Sequence, residues 1–237
     1  MQPEPCNSAI SAVAIDLDGT LLDSAPDLAA AANRTLRSLG ARALPEARIR
    51  SMIGDGIDRL LQRCLDAAGI DDPDPAERAQ RSRMMRAFYR DDLFARGSIY
   101  PGVVEALKRW QGSGMTLACV TNKASELTLP LLREAGLEHY FERVYCADLP
   151  EQRKPAPAML LAFMRDCAVN AASCVMIGDS SHDVMAARAA GVRAIAVTYG
   201  YGDPLKTRQA VPWLHTDRLD TLVLGQELNN NTGGLPC

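Results

Sequence analysis

Short apolar runs alternate with helical patterns along most of this 237-residue chain. The apolar runs, each of a length typical of a buried strand, begin at Ala12 and recur at 115–120, 144–147, 174–177 and 194–197. Apolar residues at helical spacing separate them over 103–110, 125–135, 157–167 and 183–190. This alternation predicts an α/β fold whose core is a doubly wound, Rossmann-like parallel sheet.

The stretch from 24 to 96 follows a different pattern, because it has helical periodicity and no run typical of a strand. Two amphipathic helices are predicted to end at Gly40 and Gly69, and a third is predicted over 76–93. Such a stretch indicates an inserted helical domain. The expected boundaries are 1–23 and 97–224 for the core, 24–96 for an α-helical cap, and 225–237 for a flexible C-terminal tail.

Two carboxylates lie at the end of the first apolar run. Asp16 and Asp18 lie two residues apart, directly before Gly19. Side chains at i and i+2 of an extended chain share a side, so these carboxylates would repel each other strongly unless a cation lay between them. The pattern favours an oxygen-seeking ion such as Mg²⁺, although a strand followed by an ordinary Asp-Gly turn has the same local sequence.

Polar residues also follow later strands, at the edge where parallel sheets collect ligands. Thr121 and Asn122 follow the second run and suit the oxygens of a phosphate, although both residue types also cap helices well. Lys154 precedes Pro155, which restricts its backbone, so its ammonium could neutralise a phosphate and an attacking carboxylate. An exposed lysine before a helix is the alternative, and Arg153 has no comparable role.

A further acidic residue, Asp179, ends the fourth run and is predicted to be a metal ligand. Asp183 follows four residues later, where it either supports the site as a second carboxylate or supplies charge to the first turn of a helix. His182 is expected to be a surface residue rather than a ligand or base, because oxygen ligands are abundant around it.

In combination, these residues resemble the four motifs of the haloacid dehalogenase superfamily, namely Asp16-Leu17-Asp18-Gly19-Thr20, Thr121, Lys154, and Gly178-Asp179 through Asp183. The resemblance covers nearly the whole chain and implies a helical cap over a catalytic core. It implies that Asp16 attacks phosphorus to form an aspartyl phosphate, and that Asp18 acts as general acid and then general base. It also implies Mg²⁺ held by the carboxylates of Asp16 and Asp179 and the backbone carbonyl of Asp18.

The second aspartate favours phosphate esters over carbon–halogen bonds, because a halide leaves without needing a proton. The segments that resemble bacterial phosphoglycolate phosphatases are 22–28, 178–180 with 186–191, and 198–202. The expected reaction is therefore hydrolysis of 2-phosphoglycolate to glycolate and phosphate. The alternatives are a phosphatase of N-acetylmuramic acid 6-phosphate or pyrophosphate, a sugar phosphomutase, and a non-enzymatic regulatory protein that binds a phosphorylated metabolite.

The expected cap contains a segment around Gly54 that resembles the glycine-containing loop such phosphatases lay over the substrate, so Gly54 is a candidate substrate contact. A plain turn between helices is the alternative. Asp55 departs from expectation, since a neutral residue is expected beside a substrate that carries a carboxylate. The candidates to offset its charge are Arg48, Arg50 and Arg59.

The charge and the apolar pattern of the sequence limit the kinds of molecule that the protein can bind. The net charge of −3 argues against a general nucleic-acid or anionic-membrane surface. No basic leader and no apolar run of membrane-spanning length are present, so a cytoplasmic location is expected. We expect a small phosphorylated metabolite as ligand, no nucleic acid or membrane as partner, and a monomer or homodimer.

Two further groups of residues are assigned structural roles. The seven scattered cysteines indicate buried free thiols, with Cys6 and Cys237 exposed. A row of arginines in the predicted third cap helix has acidic neighbours and indicates a solvated helix face rather than a nucleic-acid site. These arginines are Arg78, Arg81, Arg83, Arg86 and Arg90.

Overall fold

The computed structural model describes residues 9–71 and 74–225. The strands within these residues are β1 Ala12–Ile15, β2 Leu22–Asp23, β3 Ser98–Ile99, β4 Thr116–Thr121, β5 Arg143–Cys146, β6 Cys174–Gly178, β7 Arg193–Val197 and β8 Leu214–Thr216. The α-helices are α1 Ala25–Ser38, α2 Glu46–Arg50, α3 Ile57–Ala68, α4 Pro75–Asp91, α5 Val103–Gly112, α6 Ser125–Glu134, α7 Ala158–Asp166, α8 Ser181–Ala189 and α9 Pro204–Gln209.

Six strands form one sheet in the order β5-β4-β1-β6-β7-β8, and every neighbouring pair is parallel. β1 lies inside the sheet, where Val13 pairs with Leu117 of β4 on one side and Val175 of β6 on the other. The chain extends the sheet on one side of β1 and then returns to extend it on the other. The predicted doubly wound fold is therefore confirmed, and ligands in such sheets bind at the strand ends where the direction reverses.

Both faces of the sheet are buried. One face, which includes Ile15 and Ile177, packs against Trp110 of α5. The opposite face, which includes Ala14, packs against Phe163 of α7. Burial on two sides explains why the central strands have continuous apolar sequences instead of alternating ones.

Helices α1 to α4, called the helical segment below, form an apolar cluster of their own. Leu127 of α6 packs into that cluster, so the helical segment rests on the core beside the strand ends. The antiparallel pair β2 and β3 connects the segment to the core at both of its ends. Buried Asp27 of α1 holds the chain just before β3, because its carboxylate accepts hydrogen bonds from the N–H groups of Arg96 at 2.8 Å and Gly97 at 2.9 Å.

The structure corrects several details of the predicted secondary structure. β5 is a partly exposed edge strand rather than a buried one. Five short elements are not predicted from the sequence, namely β2, β3, β8, α2 and α9. The strands β2 and β3 have only two residues each, and the helices α2 and α9 have five and six. The strand β8 forms the other edge of the sheet, where Leu214 and His215 are exposed. Segments so short or so exposed carry no apolar periodicity.

Arg81 contradicts the predicted solvated face of α4, because its side chain is buried. Its guanidinium bonds the Glu77 carboxylate one turn earlier and the Asp71 carbonyl at 2.7 Å. Arg86 is also partly buried, whereas the remaining arginines of the row are exposed as predicted, namely Arg78, Arg83 and Arg90. Acidic neighbours therefore allow an arginine to pack inside the helical segment as well as to face solvent.

The cysteine prediction is confirmed where it can be examined. Cys64, Cys119 and Cys174 are buried free thiols, and Cys146 and Cys167 are partly buried. Cys6 and Cys237 lie outside the described residues, as does the predicted tail beyond Gly225. Within 9–71 and 74–225, no helix is long and apolar enough to cross a membrane.

Candidate active site

The carboxyl ends of β1, β4 and β6 bring three predicted site residues to one edge of the sheet. Asp16 follows β1, Thr121 ends β4, and Asp179 follows β6. Asp18 and Lys154 reach the same place from loops, and all five residues line one cavity between the sheet and the helical segment.

Lys154 is a buried cation with three oxygen neighbours. Its Nζ lies 2.9 Å from Asp16 Oδ1 and 2.6 Å from Asp183 Oδ1, and it donates a 2.8 Å hydrogen bond to the Val120 carbonyl. Burial acts to lower the pKa of Lys154, but the two carboxylates outweigh burial and raise it, so the ammonium stays charged. The alternative of an exposed lysine is therefore wrong.

Asp16, Asp179 and Asp183 form a buried acidic cluster in which one oxygen of each residue lies within 4.8 Å of the others. Burial raises the pKa of Asp16 to about 7, with Lys154 opposing the shift and Asp183 adding to it. Burial, assisted by Asp183 and Asp16, raises the pKa of Asp179 to about 8. The cluster therefore holds more negative charge than the single Lys154 ammonium compensates.

Asp183 fills both of the roles that the sequence analysis kept open. Its Oδ1 binds Lys154, and its Oδ2 accepts the Ser180 N–H at 3.0 Å and the Ser180 hydroxyl at 2.7 Å. Ser180 is the N-cap residue of α8, so the same carboxylate caps the start of the helix and holds Lys154. Protein donors therefore occupy both oxygens of Asp183.

Asp16 and Asp179 each have one carboxylate oxygen that accepts no hydrogen bond from the described residues. Asp16 Oδ1 accepts the Leu17 N–H at 2.8 Å, and Asp179 Oδ2 accepts the N–H groups of Tyr201 and Gly202, both at 2.9 Å. The opposite oxygens, Asp16 Oδ2 and Asp179 Oδ1, accept no hydrogen bond from any residue that the structure describes. Two oriented carboxylates with free oxygens, set in excess negative charge, fit Mg²⁺.

The close approach of the first loop to Asp179 requires a glycine. Gly19 has φ +84°, in the region that L side chains rarely adopt, and a Cβ at this position would overlap the Asp179 carboxylate. The glycine of the first motif therefore lets the loop after β1 lie directly against the carboxylate that follows β6.

Asp18 lies outside the acidic cluster and has a cation of its own. Lys123 Nζ lies 3.1 Å and 3.0 Å from its two oxygens, and the Ser24 hydroxyl donates to Oδ1. The Lys123 ammonium also lies 4.7 Å from the ring centroid of Tyr89 on α4. Lys123 is not among the site residues predicted from the sequence, although its place just beyond the end of β4 is a signal that could have identified it.

In the protein, the carboxylates of Asp16 and Asp18 pair with different ammonium groups. Lys154 contacts Asp16, and Lys123 contacts Asp18. The physical reason is that β1 ends at Ile15, so the rule that residues i and i+2 share a side does not extend to the loop that carries Asp18.

Thr121 and Asn122 do not cap the next helix, because the N-cap residue of α6 is Ala124. The Asn122 Nδ2 donates to the carbonyls of Gly54 and Lys154, both at 3.1 Å, and its Oδ1 accepts the Lys154 N–H at 2.8 Å. Thr121 is buried beside it and lines the cavity. Asn122 thus joins the loop that carries Lys154 to the Gly54 loop of the helical segment.

Asp55 has local partners that offset its charge. Its carboxylate forms an ion pair with Arg63 of α3, and its Oδ1 lies 3.5 Å from Nε2 of His182, a partly exposed residue of α8. The residue that offsets Asp55 is Arg63 rather than Arg48, Arg50 or Arg59. Asp55 therefore brings no unpaired carboxylate to the neighbourhood of the cavity.

Comparisons with known proteins agree with this geometry. The sequence model of the haloacid dehalogenase-like hydrolases matches residues 13–197. A phosphoglycolate phosphatase of Nitrosospira multiformis is 45% identical over 196 residues, which cover 82% of this chain and 86% of that protein. A phosphoglycolate phosphatase of Thiobacillus denitrificans is 42% identical over 192 residues, which cover 81% of this chain and 85% of that protein.

A solved structure shows the same fold. The crystal structure of a predicted phosphoglycolate phosphatase from Haemophilus somnus 129PT superposes with a TM-score of 0.83 at 31% identity, covering 90% of this chain and 96% of that one. The family match includes the motif residues Asp16, Asp18, Thr121, Lys154 and Asp179. The chain therefore belongs to the haloacid dehalogenase-like hydrolase family.

Proposed function

We propose that this hydrolase is a phosphatase that converts 2-phosphoglycolate to glycolate and phosphate. Relatives named phosphoglycolate phosphatase, at 42–45% identity, support the substrate. The observation that carries the chemistry is the Asp16 carboxylate, buried at a cavity and held 2.9 Å from the Lys154 ammonium. A carboxylate fixed beside a cation suits attack on an anionic phosphate.

In the first step, a carboxylate oxygen of Asp16 forms a bond to phosphorus while the bond from phosphorus to the glycolate oxygen breaks. The Leu17 N–H and Lys154 orient the Asp16 carboxylate for this attack. Thr121 and the ammonium of Lys154 bind phosphate oxygens and offset their charge. Asp18, in its protonated form, gives its proton to the departing glycolate oxygen.

In the second step, Asp18 takes a proton from a water molecule whose oxygen attacks phosphorus. The bond between phosphorus and Asp16 breaks, and phosphate leaves with the Asp16 carboxylate restored. Ser24 and Lys123 hold Asp18 at the cavity between the two steps. One residue thus donates a proton to the leaving glycolate in the first half of the reaction and takes a different proton from water in the second half.

The free oxygens of Asp16 and Asp179, with the backbone carbonyl of Asp18, would hold Mg²⁺. When bound, the ion supplies positive charge that lets an anionic carboxylate and an anionic phosphate meet. The protein's part is to orient the two carboxylates through Leu17, Tyr201 and Gly202.

In this proposal, the stretch 24–96 is a cap that recognises the leaving group of the substrate. The groups proposed to bind phosphate all come from the core, whereas the helical segment contributes Gly54, Gly56 and Ile57 to the same cavity. Covering the cavity also keeps bulk water from the aspartyl phosphate until the leaving group has departed.

The test is phosphate release by the full chain, with Mg²⁺, from 2-phosphoglycolate, N-acetylmuramic acid 6-phosphate, pyrophosphate and a hexose phosphate. We expect the highest kcat/KM for 2-phosphoglycolate. The Asp16→Asn variant keeps the size of the side chain and removes the nucleophile, so we expect it to lose roughly three orders of magnitude or more in kcat.

The alternatives give different results in the same experiment. A preference for another ester would overturn the substrate and retain the phosphatase. Isomerisation of the hexose phosphate without phosphate release would indicate a mutase. Binding of an ester without turnover, unchanged in Asp16→Asn, would indicate a regulatory protein.

A further inference from the structure

One of the cationic side chains at the cavity has no partner among the residues that the structure describes. The cationic side chains that line it are Lys123, Lys154, Arg86 and Arg153. Each of the first three contacts at least one carboxylate at 2.6–3.0 Å. The Arg153 guanidinium has neither an ion pair nor a hydrogen-bond acceptor among residues 9–71 and 74–225, and its Nε is buried without a partner.

The position of Arg153 is fixed by its backbone. Its N–H donates to the Pro150 carbonyl at 3.2 Å, and its carbonyl accepts the Ala156 N–H at 2.9 Å. The side chain extends to the loop before α3, where a Cβ on Gly56 would lie 3.6 Å from Arg153 Nη2. The guanidinium therefore lies between the loop that carries Lys154 and the loop of the helical segment.

An unpaired guanidinium at a cavity favours an anionic ligand. Burying its donors without acceptors is unfavourable, and guanidinium cannot lose its charge at ordinary pH. Its planar fork matches the two oxygens of a carboxylate. The neighbouring residue, Lys154, is the one that offsets the charge of the phosphate, so Arg153 is available for a second anionic group on the same small molecule.

We propose that Arg153 is a specificity-determining residue that receives the carboxylate of the substrate. The enzyme then selects short phosphate esters whose alcohol carries a carboxylate over esters of similar size that are neutral at that position. This inference rests on the proposed phosphatase function and assigns the recognition of its leaving group. Pairing of Asp55 with Arg63 is consistent with it, because no unpaired carboxylate of that loop competes for the guanidinium.

The test compares 2-phosphoglycolate with 2-phosphoglycolamide, in which a neutral amide replaces the carboxylate at nearly the same size. The wild-type chain should prefer the acid. In Arg153→Gln, kcat/KM for the acid should fall about 10- to 100-fold, the range expected for hydrogen bonds to a charged group, while that for the amide should change less than about 3-fold. Arg153→Lys, which keeps the charge and loses the fork, should recover only part of the loss.

Arg165→Gln is the matched control, because Arg165 is an exposed arginine of α7 that pairs with its neighbour Asp166. It should leave both esters unaffected. Equal losses on acid and amide in Arg153→Gln, or a wild-type chain that does not distinguish the two esters, would overturn the inference while leaving the phosphatase intact. Failure of the wild-type chain to hydrolyse either ester would instead overturn the proposed function.

Discussion

Replacing Lys154 by methionine provides a demanding test of the acidic cluster, because Lys154 is the ammonium that contacts both Asp16 and Asp183. Methionine fills a similar volume and cannot carry charge. The variant would leave these two buried carboxylates facing each other near Asp179 without their compensating cation. We expect one of the cluster's carboxyl groups to bind an additional proton in the folded variant, since neutralisation is less costly than burying the uncompensated charge.

The expected loss of unfolding free energy follows from that additional proton. An unfolded aspartate has a pKa of about 3.9, so keeping one more carboxyl protonated in the folded variant costs about 1.4 kcal/mol × (7 − 3.9), or about 4 kcal/mol of unfolding free energy at pH 7. This agrees with the ~3–5 kcal/mol expected when one partner of a buried ion pair is removed.

The direction in which the destabilisation of Lys154→Met changes with pH also follows from that proton. A carboxyl whose folded pKa is raised above the unfolded value contributes its stability fully below the unfolded pKa and loses it as pH rises towards the folded pKa. The deficit of the variant relative to wild type should therefore grow by about 1.4 kcal/mol per pH unit, or about 2.8 kcal/mol from pH 5 to pH 7.

The measurement is urea-induced unfolding of wild type and Lys154→Met in EDTA at pH 5, 6 and 7. Lys206→Met is the matched control, since Lys206 is an exposed residue of α9, and it should change the unfolding free energy by less than about 0.5 kcal/mol at every pH. A deficit for Lys154→Met that stays constant across the range, or remains below about 1 kcal/mol at pH 7, would refute the electrostatic account of the cluster.

Other regions yield three further predictions. Mg²⁺ should raise the melting temperature of the wild-type chain, and Asp179→Asn should greatly reduce that shift in a thermal scan, since the variant removes one of the charged oxygen donors. Asp27→Ala should lower the unfolding free energy by about 2 kcal/mol in urea, because the N–H groups of Arg96 and Gly97 lose their acceptors; a loss below about 0.5 kcal/mol would contradict this role. Asp74→Ala should cost about 1 kcal/mol in the same assay, because the Asp74 carboxylate caps α4, whereas Asp74→Asn should retain most of that stability.

The fold could be predicted from the sequence because its central strands are buried on both faces. A run such as 174–177 has no polar position, and this distinguishes it from the amphipathic helices around it. The same reasoning fails for β8, whose Leu214 and His215 are exposed, and for β2 and β3, whose pairing joins residues 22–23 to 98–99. Pairing over such a distance in sequence leaves no local pattern.

The groups around Asp16 could be predicted from the sequence, whereas those around Asp18 could not. The groups around Asp16 follow the ends of parallel strands or the loops beside them, and sheet topology alone brings those ends together. Asp18 instead depends on Ser24 at the start of α1 and on Lys123, whose ammonium faces the Tyr89 ring of α4. The contacts of Ser24 and Tyr89 require the helical segment to be docked, and docking is decided by packing between elements far apart in the chain. The environment of Asp16, the proposed nucleophile, is therefore set by the core alone, whereas that of Asp18, the proposed acid and base, also depends on how the helical segment sits over it.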